Sequence, residues 1–273
     1  MASVDEASLR LDGKVAVVTG ASTGLGRGIA ALYARRGAKV VVGDLRPEAA
    51  AGNFDEVPEL TTAELIARDG GEAIFQPCDV TRSDQVAGLV DAAVQRFGRL
   101  DVMVNNAGVH RGGRRMHEMT EADLDACWQV LVKGSWFGSQ EAVKAFLRQG
   151  GGGSIVNIVS TAGLRGHVWQ SVYNMAKGAQ ANLTRCLALE YAGDNIRANG
   201  VCPTFAKTAM SRTGFESAQM EAVVKRVVPL GRWGEVADVA AVALFLATDA
   251  AAFLTGVMIP VDGGETLGSI GTS

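Results

Sequence analysis

The feature that most constrains the fold of this chain is a regular alternation of short apolar runs with longer amphipathic segments. The apolar runs, rich in valine and isoleucine, lie at residues 15–19, 40–43, 73–75, 102–104, 155–159, 198–201 and 257–261. Helical patterns separate most of them, at residues 25–36, 62–68, 83–97, 121–147, 172–191 and 235–247. Strands that are apolar throughout and separated by helices are typical of a parallel sheet covered on both faces. The sequence therefore predicts a doubly wound α/β fold.

Two segments interrupt this alternation. Residues 47–60 follow the second strand and form a longer connection than most loops inside a domain. Residues 204–228 lie between the last two strands, carry several large apolar side chains and indicate a partly helical lid over a cleft. The chain of 273 residues is of a size that fits a single domain, with residues 1–12 as an N-terminal arm.

Charge and composition exclude several classes of protein. The net charge is −3 and both signs are dispersed, so the sequence has no electrostatic footprint for nucleic acid or an anionic membrane. The four cysteines and three histidines do not fall at metal-ligand spacings, and no metal site is expected. No signal peptide or membrane-spanning run is apparent, which predicts a cytoplasmic protein.

A glycine-rich run stands where the first strand turns into a helix. In the run Thr19-Gly-Ala-Ser-Thr-Gly-Leu-Gly26, Gly20 and Gly24 allow a tight backbone approach to a pyrophosphate. Gly26 lets the helix pack closely on the sheet, and the helix N-terminus supplies N–H donors. This context predicts a nucleotide site at the turn.

An acidic residue at the end of the second strand indicates which nucleotide. Asp44 lies eighteen residues after Gly26, close to the roughly 20-residue offset of an acid that binds a ribose 2′-hydroxyl. A carboxylate there repels a 2′-phosphate, and Thr23 rather than a basic residue precedes Gly24. The sequence thus favours NAD over NADP, although Arg46 is near enough to offset part of the repulsion.

The candidate catalytic groups lie in residues 155–177. Ser160 ends an apolar strand, and Tyr173 and Lys177 are one turn apart on the same face of a helix. An ammonium close to a phenol stabilises the phenolate and lowers the phenol's pKa toward the working range of an acid or base. We therefore expect these three residues to move a proton on and off a substrate oxygen.

With these motifs in order, the chain resembles the short-chain dehydrogenase/reductase family from about Leu11 to Gly264. Further matches are Asp79-Val80, the run Asn105-Asn-Ala-Gly108, the segment 196–203 with Thr208, and the closing Val261-Asp-Gly-Gly264. The resemblance implies a Rossmann-like single domain of about seven parallel strands, with Tyr173 as general acid/base, Lys177 lowering its pKa and Ser160 orienting the substrate. It also implies a homotetramer.

Together, the turn, Asp44 and the resemblance predict a set of cofactor-binding residues. They are Gly20, Ser22, Thr23, Gly24, Leu25, Gly26, Asp44, Leu45, Asp79, Val80, Asn106, Ala107, Gly108, Tyr173, Lys177, Pro203 and Thr208. One departure stands out: Leu131 occupies a position where the family commonly has an asparagine that supports proton relay from the lysine. Either another group, such as Gln129, or solvent would have to replace it.

The sequence therefore predicts an NAD-dependent enzyme that interconverts a secondary alcohol and a ketone on a small cyclic or moderately apolar substrate. Residues His167, Val168, Trp169 and Phe205 are expected to flank the substrate cleft. Alternatives within the family are an aldose dehydrogenase and an NADPH-dependent 3-oxoacyl reductase. A different class, a catalytically silent nucleotide-binding protein, is made conceivable by Leu131 and opposed by the intact trio.

Overall fold

The protein is built on one parallel sheet. A computed structural model describes residues 6–268, and in it seven strands pair in the order β3-β2-β1-β4-β5-β6-β7. The strands are β1 (Val15–Thr19), β2 (Lys39–Asp44), β3 (Glu72–Pro77), β4 (Val102–Asn105), β5 (Gly153–Ile158), β6 (Ile196–Pro203) and β7 (Met258–Val261). Every pairing is parallel, which confirms the predicted sheet.

Helices cover both faces of the sheet. They are α1 (Gly24–Arg35), α2 (Thr62–Arg68), α3 (Ser83–Phe97), α4 (Glu121–Cys127), α5 (Gly134–Gln149), α6 (Ser171–Glu190), α7 (Arg212–Phe215), α8 (Ala218–Val227) and α9 (Val236–Ala247). The helix predicted over residues 121–147 is divided, because a π-helical segment, Trp128–Lys133, separates α4 from α5. Short 3₁₀ turns occur at Glu6–Leu9, Met116–Glu118, Thr161–Gly163, Ala192–Asp194, Ala209–Ser211, Asp249–Ala251 and Glu265–Leu267.

The core divides into two apolar layers, one on each face. Helices α1 and α9 pack together on one face, and α3, α5 and α6 contribute to the other. All five residues of β1 are buried, as expected for a strand covered on both sides. Of the arm predicted over residues 1–12, residues 1–5 lie outside the described part, and Leu11 is buried in the core.

The strand order places a crevice at one edge of the sheet. The chain runs from β1 outward to β2 and β3, and then returns to start the other half at β4 beside β1. At such a reversal the loops that leave adjacent strands diverge, and ligands bind outside the carboxyl ends of the strands. The predicted site residues follow β1, β2, β4, β5 and β6, so the topology gathers them at this crevice.

The two segments that interrupt the alternation lie against each other. The guanidinium of Arg27 anchors the loop 47–60 by donating to the carbonyl oxygens of Leu60 and Val57, both at 2.7 Å. Phe54 of the loop packs edge-to-face on Phe215 of α7, with ring centroids 5.1 Å apart. The predicted lid is partly helical, as α7 and α8 show.

Across residues 6–268 none of the helices is both long and apolar enough to cross a membrane.

Candidate active site

A cleft of about 620 Å³ opens at the carboxyl ends of the strands. Most of the residues predicted to bind a cofactor or do chemistry line it: Gly20, Thr23, Gly24, Leu25, Asp44, Leu45, Asp79, Val80, Asn106, Ala107, Gly108, Ser160, Tyr173, Lys177, Pro203 and Thr208. Ser22 and Gly26 shape the turn beneath the cleft instead. The Ser22 hydroxyl donates to the carbonyl oxygen of Arg46 at 2.6 Å.

The glycine-rich turn is clamped to the loop that follows β4. The side-chain amide of Asn106 donates to the carbonyl oxygens of Thr19 and Gly20, at 2.9 and 3.0 Å. In return, the Thr19 hydroxyl accepts from the backbone N–H groups of Asn106 and Ala107. Gly20 has a φ of +63°, and a Cβ there would lie 2.7 Å from the Cα of Ala107. Only glycine fits this close approach, so the turn keeps backbone donors exposed to the cleft.

Two carboxylates lie against the turn. Asp44 accepts from the backbone N–H of Ser22 at 3.0 Å. The second is Asp55, in the loop 47–60, which accepts from the Thr23 hydroxyl at 2.9 Å and from the Gly24 N–H at 3.3 Å. Three consecutive residues, 22–24, therefore contact two acidic side chains at the end of the cleft where helix α1 begins.

Ser160, Tyr173 and Lys177 meet in the middle of the cleft. The Ser160 side chain acts to lower the pKa of the Tyr173 phenol, and its hydroxyl oxygen accepts from the Ala162 N–H at 3.1 Å. The Lys177 ammonium lies 5.8 Å from the centroid of the Tyr173 ring. The structure thus brings together the three residues that the sequence predicts to handle the proton.

The protonation of this pair differs from the expectation that Lys177 lowers the pKa of Tyr173. Burial raises the pKa of Tyr173 to about 12, with the hydrogen bond from Ser160 opposing the rise. Burial also lowers the pKa of Lys177 to about 7, against the opposing effect of the thiols of Cys202 and Cys127. Desolvation disfavours both charged forms and is the largest cause of each shift in pKa.

The immediate partners of Lys177 are a carbonyl and an amide. Its Nζ donates to the carbonyl oxygen of Ile158 at 2.7 Å and to Oε1 of Gln180 at 2.9 Å. Leu131 is buried in an apolar cluster with Cys127 and Ala176. The sequence suggests Gln129 as a group that could replace the missing asparagine. In the structure, the glutamine that contacts Lys177 is Gln180.

Other residues at the site were not predicted from the sequence. His110 stacks edge-to-face on Tyr173, with ring centroids 4.9 Å apart, and its Nε2 lies 3.3 Å from Oε1 of Gln170. The position of His110, two residues after the Asn-Asn-Ala-Gly run, was an available signal. Gln180 carried one too, since it is three residues from Lys177 on the same helix face. The sequence carried no signal for Asp55, because the position of this residue depends on the path of a long loop.

The residues expected to flank the substrate separate into two groups. His167 and Phe205 line the cleft, as do Met210 and Met220 of the lid. Val168 and Trp169 are 75% and 62% exposed and lie on the surface. Phe215 packs between Phe54 and Trp233 and so helps to hold the lid against the loop.

Within residues 6–268, no cluster of three or more His, Cys, Asp or Glu side chains is arranged to hold a metal ion. The four cysteines are free, and Cys186 is exposed whereas Cys78, Cys127 and Cys202 are buried. Burial raises the pKa of Cys202 to about 11 and that of Cys78 to about 12, so these two thiols are protonated at neutral pH.

Known proteins are similar to this chain in sequence and in fold. Residues 20–266 match the family model described as enoyl-(acyl carrier protein) reductase. The 3-oxoacyl-[acyl-carrier-protein] reductase of Thermotoga maritima is 38% identical, over 94% of this chain and 99% of that protein. A structure of 7α-hydroxysteroid dehydrogenase with NADH and 7-oxo glycochenodeoxycholic acid is 32% identical, with a TM-score of 0.85 over 96% of this chain and 98% of that chain.

A further structure, from Agrobacterium tumefaciens and with bound NADP, is 34% identical, with a TM-score of 0.84 over 95% of this chain and 99% of that chain. The neighbours thus include proteins solved with either nicotinamide cofactor. The fold, the turn after β1 and the extent of these matches lead to one conclusion: the chain belongs to the short-chain dehydrogenase/reductase family of oxidoreductases, which act with a nicotinamide cofactor.

Proposed function

We propose that the protein is an NAD-dependent dehydrogenase that interconverts a secondary alcohol and a ketone, with Tyr173 as the general acid/base. The observation that carries the proposal is the meeting of Ser160, Tyr173 and Lys177 in one cleft with the glycine-rich turn. A chain that only bound nucleotides would need the turn but not the trio.

The residues present fit a dinucleotide. The turn after β1 offers backbone donors at a helix N-terminus, where a pyrophosphate is favoured by both hydrogen bonds and the helix dipole. The close contact of Gly20 with Ala107 leaves no room for a side chain at that point of the cradle. When bound, the nicotinamide accepts or supplies the hydride. Asp44 and Asp55 would lie at the adenosine end, and Tyr173 and Lys177 at the nicotinamide end.

The proton chemistry follows from the state of Tyr173. Burial raises the pKa of Tyr173 to about 12, so its phenol is protonated at neutral pH and can donate to a substrate oxygen. Ser160 would hold that oxygen by a second hydrogen bond. In the direction of alcohol oxidation Tyr173 must first lose its proton, and Lys177 would stabilise the resulting phenolate to the extent that its side chain is charged.

The two carboxylates beside the turn support NAD rather than NADP. A 2′-phosphate would add a charge of about −1.5 to −2 close to Asp44 and Asp55. Like charges at short range in a partly buried site cost more than in water. Asp55 strengthens the preference that Asp44 alone indicates, and it does so from a loop outside the family's motifs.

The apolar lining of the cleft supports a moderately apolar substrate. Phe205, Met210 and Met220 of the lid line the same cleft as the trio, and apolar side chains there would help to exclude water from the reacting carbon. His110 and His167 bring polar groups to the same space, so we propose that the substrate carries a second polar group beside its hydroxyl or ketone.

A second candidate is reduction of a 3-oxoacyl thioester with NADPH, and the observation in its favour is the Thermotoga maritima relative. Cofactor affinity separates the two. We expect NAD⁺ to bind at least about tenfold more tightly than NADP⁺, which corresponds to about 1.4 kcal/mol. Asp44→Asn and Asp55→Asn should each reduce the ratio of the dissociation constants for NADP⁺ and NAD⁺. Asp84→Asn, on the exposed side of α3, should leave this ratio unchanged. Tighter binding of NADP⁺ by the unmodified protein would overturn the NAD assignment.

Activity is tested with a panel of secondary alcohols, ketones and aldoses, followed by the absorbance of the reduced nicotinamide. Turnover of aldoses alone would identify the remaining alternative, an aldose dehydrogenase. On any substrate found, Tyr173→Phe should retain NAD binding and lose turnover. Turnover retained by Tyr173→Phe would remove this residue from the mechanism.

A further inference from the structure

The environment of the Lys177 ammonium is unusual for a charged group. The residue is 4% exposed, and Leu131 and Ala176 belong to the apolar cluster that packs beside Tyr173. A buried ammonium is costly unless hydrogen bonds replace its lost hydration. Within the described part of the chain its Nζ has two acceptors, the carbonyl oxygen of Ile158 and Oε1 of Gln180. Of these, only Gln180 contributes through a side chain.

Gln180 is itself held in place from a different helix. Its Nε2 donates to the hydroxyl oxygen of Ser135 at 2.6 Å, and Ser135 lies at the start of α5. Gln180 is 1% exposed and Ser135 is 3% exposed, so neither side chain faces solvent. With its N–H₂ group fixed by Ser135, the amide can direct only its oxygen at Lys177. The backbone carbonyl oxygen of Gln180 also accepts a hydrogen bond from the Thr184 hydroxyl, which links this turn of α6 to the neighbouring polar side chains.

We propose that Gln180, oriented by Ser135, is a positioning residue that holds the Lys177 ammonium beside Tyr173. This pair would do from α6 and α5 what an asparagine at position 131 would do in the family pattern, where this chain has a leucine. The inference rests on the proposed role of Tyr173 and Lys177 in proton transfer. Gln180 acts through Lys177 and touches neither the substrate nor the reacting atoms.

The titratable groups around Lys177 come from three elements. Tyr173 lies on the same helix, Cys127 approaches from α4 and Cys202 from β6. Both thiols are buried, and burial raises the pKa of each. None of these three groups carries a negative charge at neutral pH, so the ammonium depends on neutral acceptors. Removing the Gln180 oxygen should therefore lower the pKa of Lys177 further below its present value of about 7.

Titration of Lys177 tests the proposal without cofactor or substrate. The protein is labelled with ¹³C at lysine Cε, and the Lys177 signal is assigned by its loss in Lys177→Met. Gln180→Met keeps the length of the side chain and removes the oxygen, and it should lower the Lys177 midpoint by about one to two pH units. Gln180→Glu keeps an oxygen acceptor and should leave the midpoint at or above that of the unmodified protein. Gln140→Met, on the exposed face of α5, is the matched control and should not change it.

Two results would overturn the proposal: an unchanged midpoint in Gln180→Met, or an equal fall in Gln180→Met and Gln180→Glu. The second result would show a packing role rather than hydrogen bonding to Lys177. If Gln180→Met does not fold, the double variant Ser135→Ala with Gln180→Met removes both polar groups and leaves no unpaired hydroxyl. Because these titrations need no NAD, failure of the proposed dehydrogenase activity appears separately, as absent NAD binding or turnover.

Discussion

Gly26 is the position where adding one methyl group should do most harm to the site. A Cβ at Gly26 would lie 2.5 Å from the side-chain nitrogen of Asn106, 2.8 Å from the carbonyl carbon of Gly20, and closer still to the Gly20 oxygen. These atoms form the clamp in which Asn106 donates to the Gly20 carbonyl at 3.0 Å. Backbone cannot swing aside as a side-chain end can, so Gly26→Ala must open the clamp.

The size of the effect follows from these contacts. Overpacking in a tight interior costs about 1–3 kcal/mol, and losing the Asn106 hydrogen bond adds about 1 kcal/mol. Replacing a helical glycine by alanine returns about 0.5–1 kcal/mol through the unfolded state. The net loss is about 2 kcal/mol in the free energy of unfolding, which should lower Tm by roughly 4–8 °C in a domain of this size. Because the clamp shapes the pyrophosphate cradle, NAD affinity should fall as well.

Gly88→Ala is the matched control for this substitution. Gly88 also lies within a helix, α3, but a Cβ there meets nothing within 4 Å. Alanine should therefore raise the free energy of unfolding by about 0.5–1 kcal/mol and leave NAD affinity unchanged. Thermal unfolding followed by far-UV circular dichroism, and NAD binding followed by tryptophan fluorescence, give both quantities. If Gly26→Ala keeps the Tm and NAD affinity of the unmodified protein, the close packing of the turn is not what this site requires.

Four further predictions concern other parts of the molecule. With the Tyr173 phenol protonated at neutral pH, the rate of alcohol oxidation should rise as pH is raised, while the rate of ketone reduction should not; a flat oxidation profile would contradict this assignment. Leu131→Asn should leave turnover and its pH profile nearly unchanged if Gln180 already holds Lys177, and a large gain would argue for a missing relay. Hydrogen bonds from the Thr120 N–H and hydroxyl lower the pKa of Asp123 below its usual 3.8. The stability that Asp123 adds is therefore present above pH 3.8 and is lost as pH falls through the lowered pKa. The difference in Tm between the unmodified protein and Asp123→Asn should accordingly shrink in acid. A homotetramer remains a prediction, and light scattering coupled to gel filtration would refute it by giving the mass of a monomer.

The fold was predictable because its signals are local. Most strands are short apolar runs rich in β-branched residues, and each crossover carries a helical pattern, so outside residues 47–60 and 204–228 one interpretation fits the chain. The division of the helix at residues 121–147 was not visible in this way. Its π-helical turn, Trp128–Lys133, continues the apolar pattern of its neighbours, and in the fold it packs against α6 as well as against α4 and α5.

The site was predictable wherever it depends on what immediately follows a strand. The turn after β1, Asp44 at the end of β2 and Ser160 after β5 all lie at the carboxyl edge, since every strand points the same way. The sequence could not place Asp55, because the loop 47–60 has no repeating pattern and is fixed by contacts with Arg27 and the lid. It also could not give the direction of the pKa of Tyr173, because burial depends on the whole surrounding fold.

That direction explains how the buried pair works. In a dry pocket, burial alone would leave Tyr173 as a neutral phenol and draw Lys177 toward a neutral amine, a pair with no charge to help a proton transfer. Each hydrogen bond to Tyr173 or Lys177 therefore stabilises the charged form of that residue. Ser160 lowers the pKa of Tyr173, and Gln180 offers an oxygen to the Lys177 ammonium. A small number of fixed polar groups can then shift the protonation equilibria of Tyr173 and Lys177. Hydrogen bonds to groups shielded from water are stronger than those at the surface. On this reasoning a leucine at position 131 is compatible with the proposed proton transfer, since Gln180 supplies the side-chain oxygen that contacts the Lys177 ammonium.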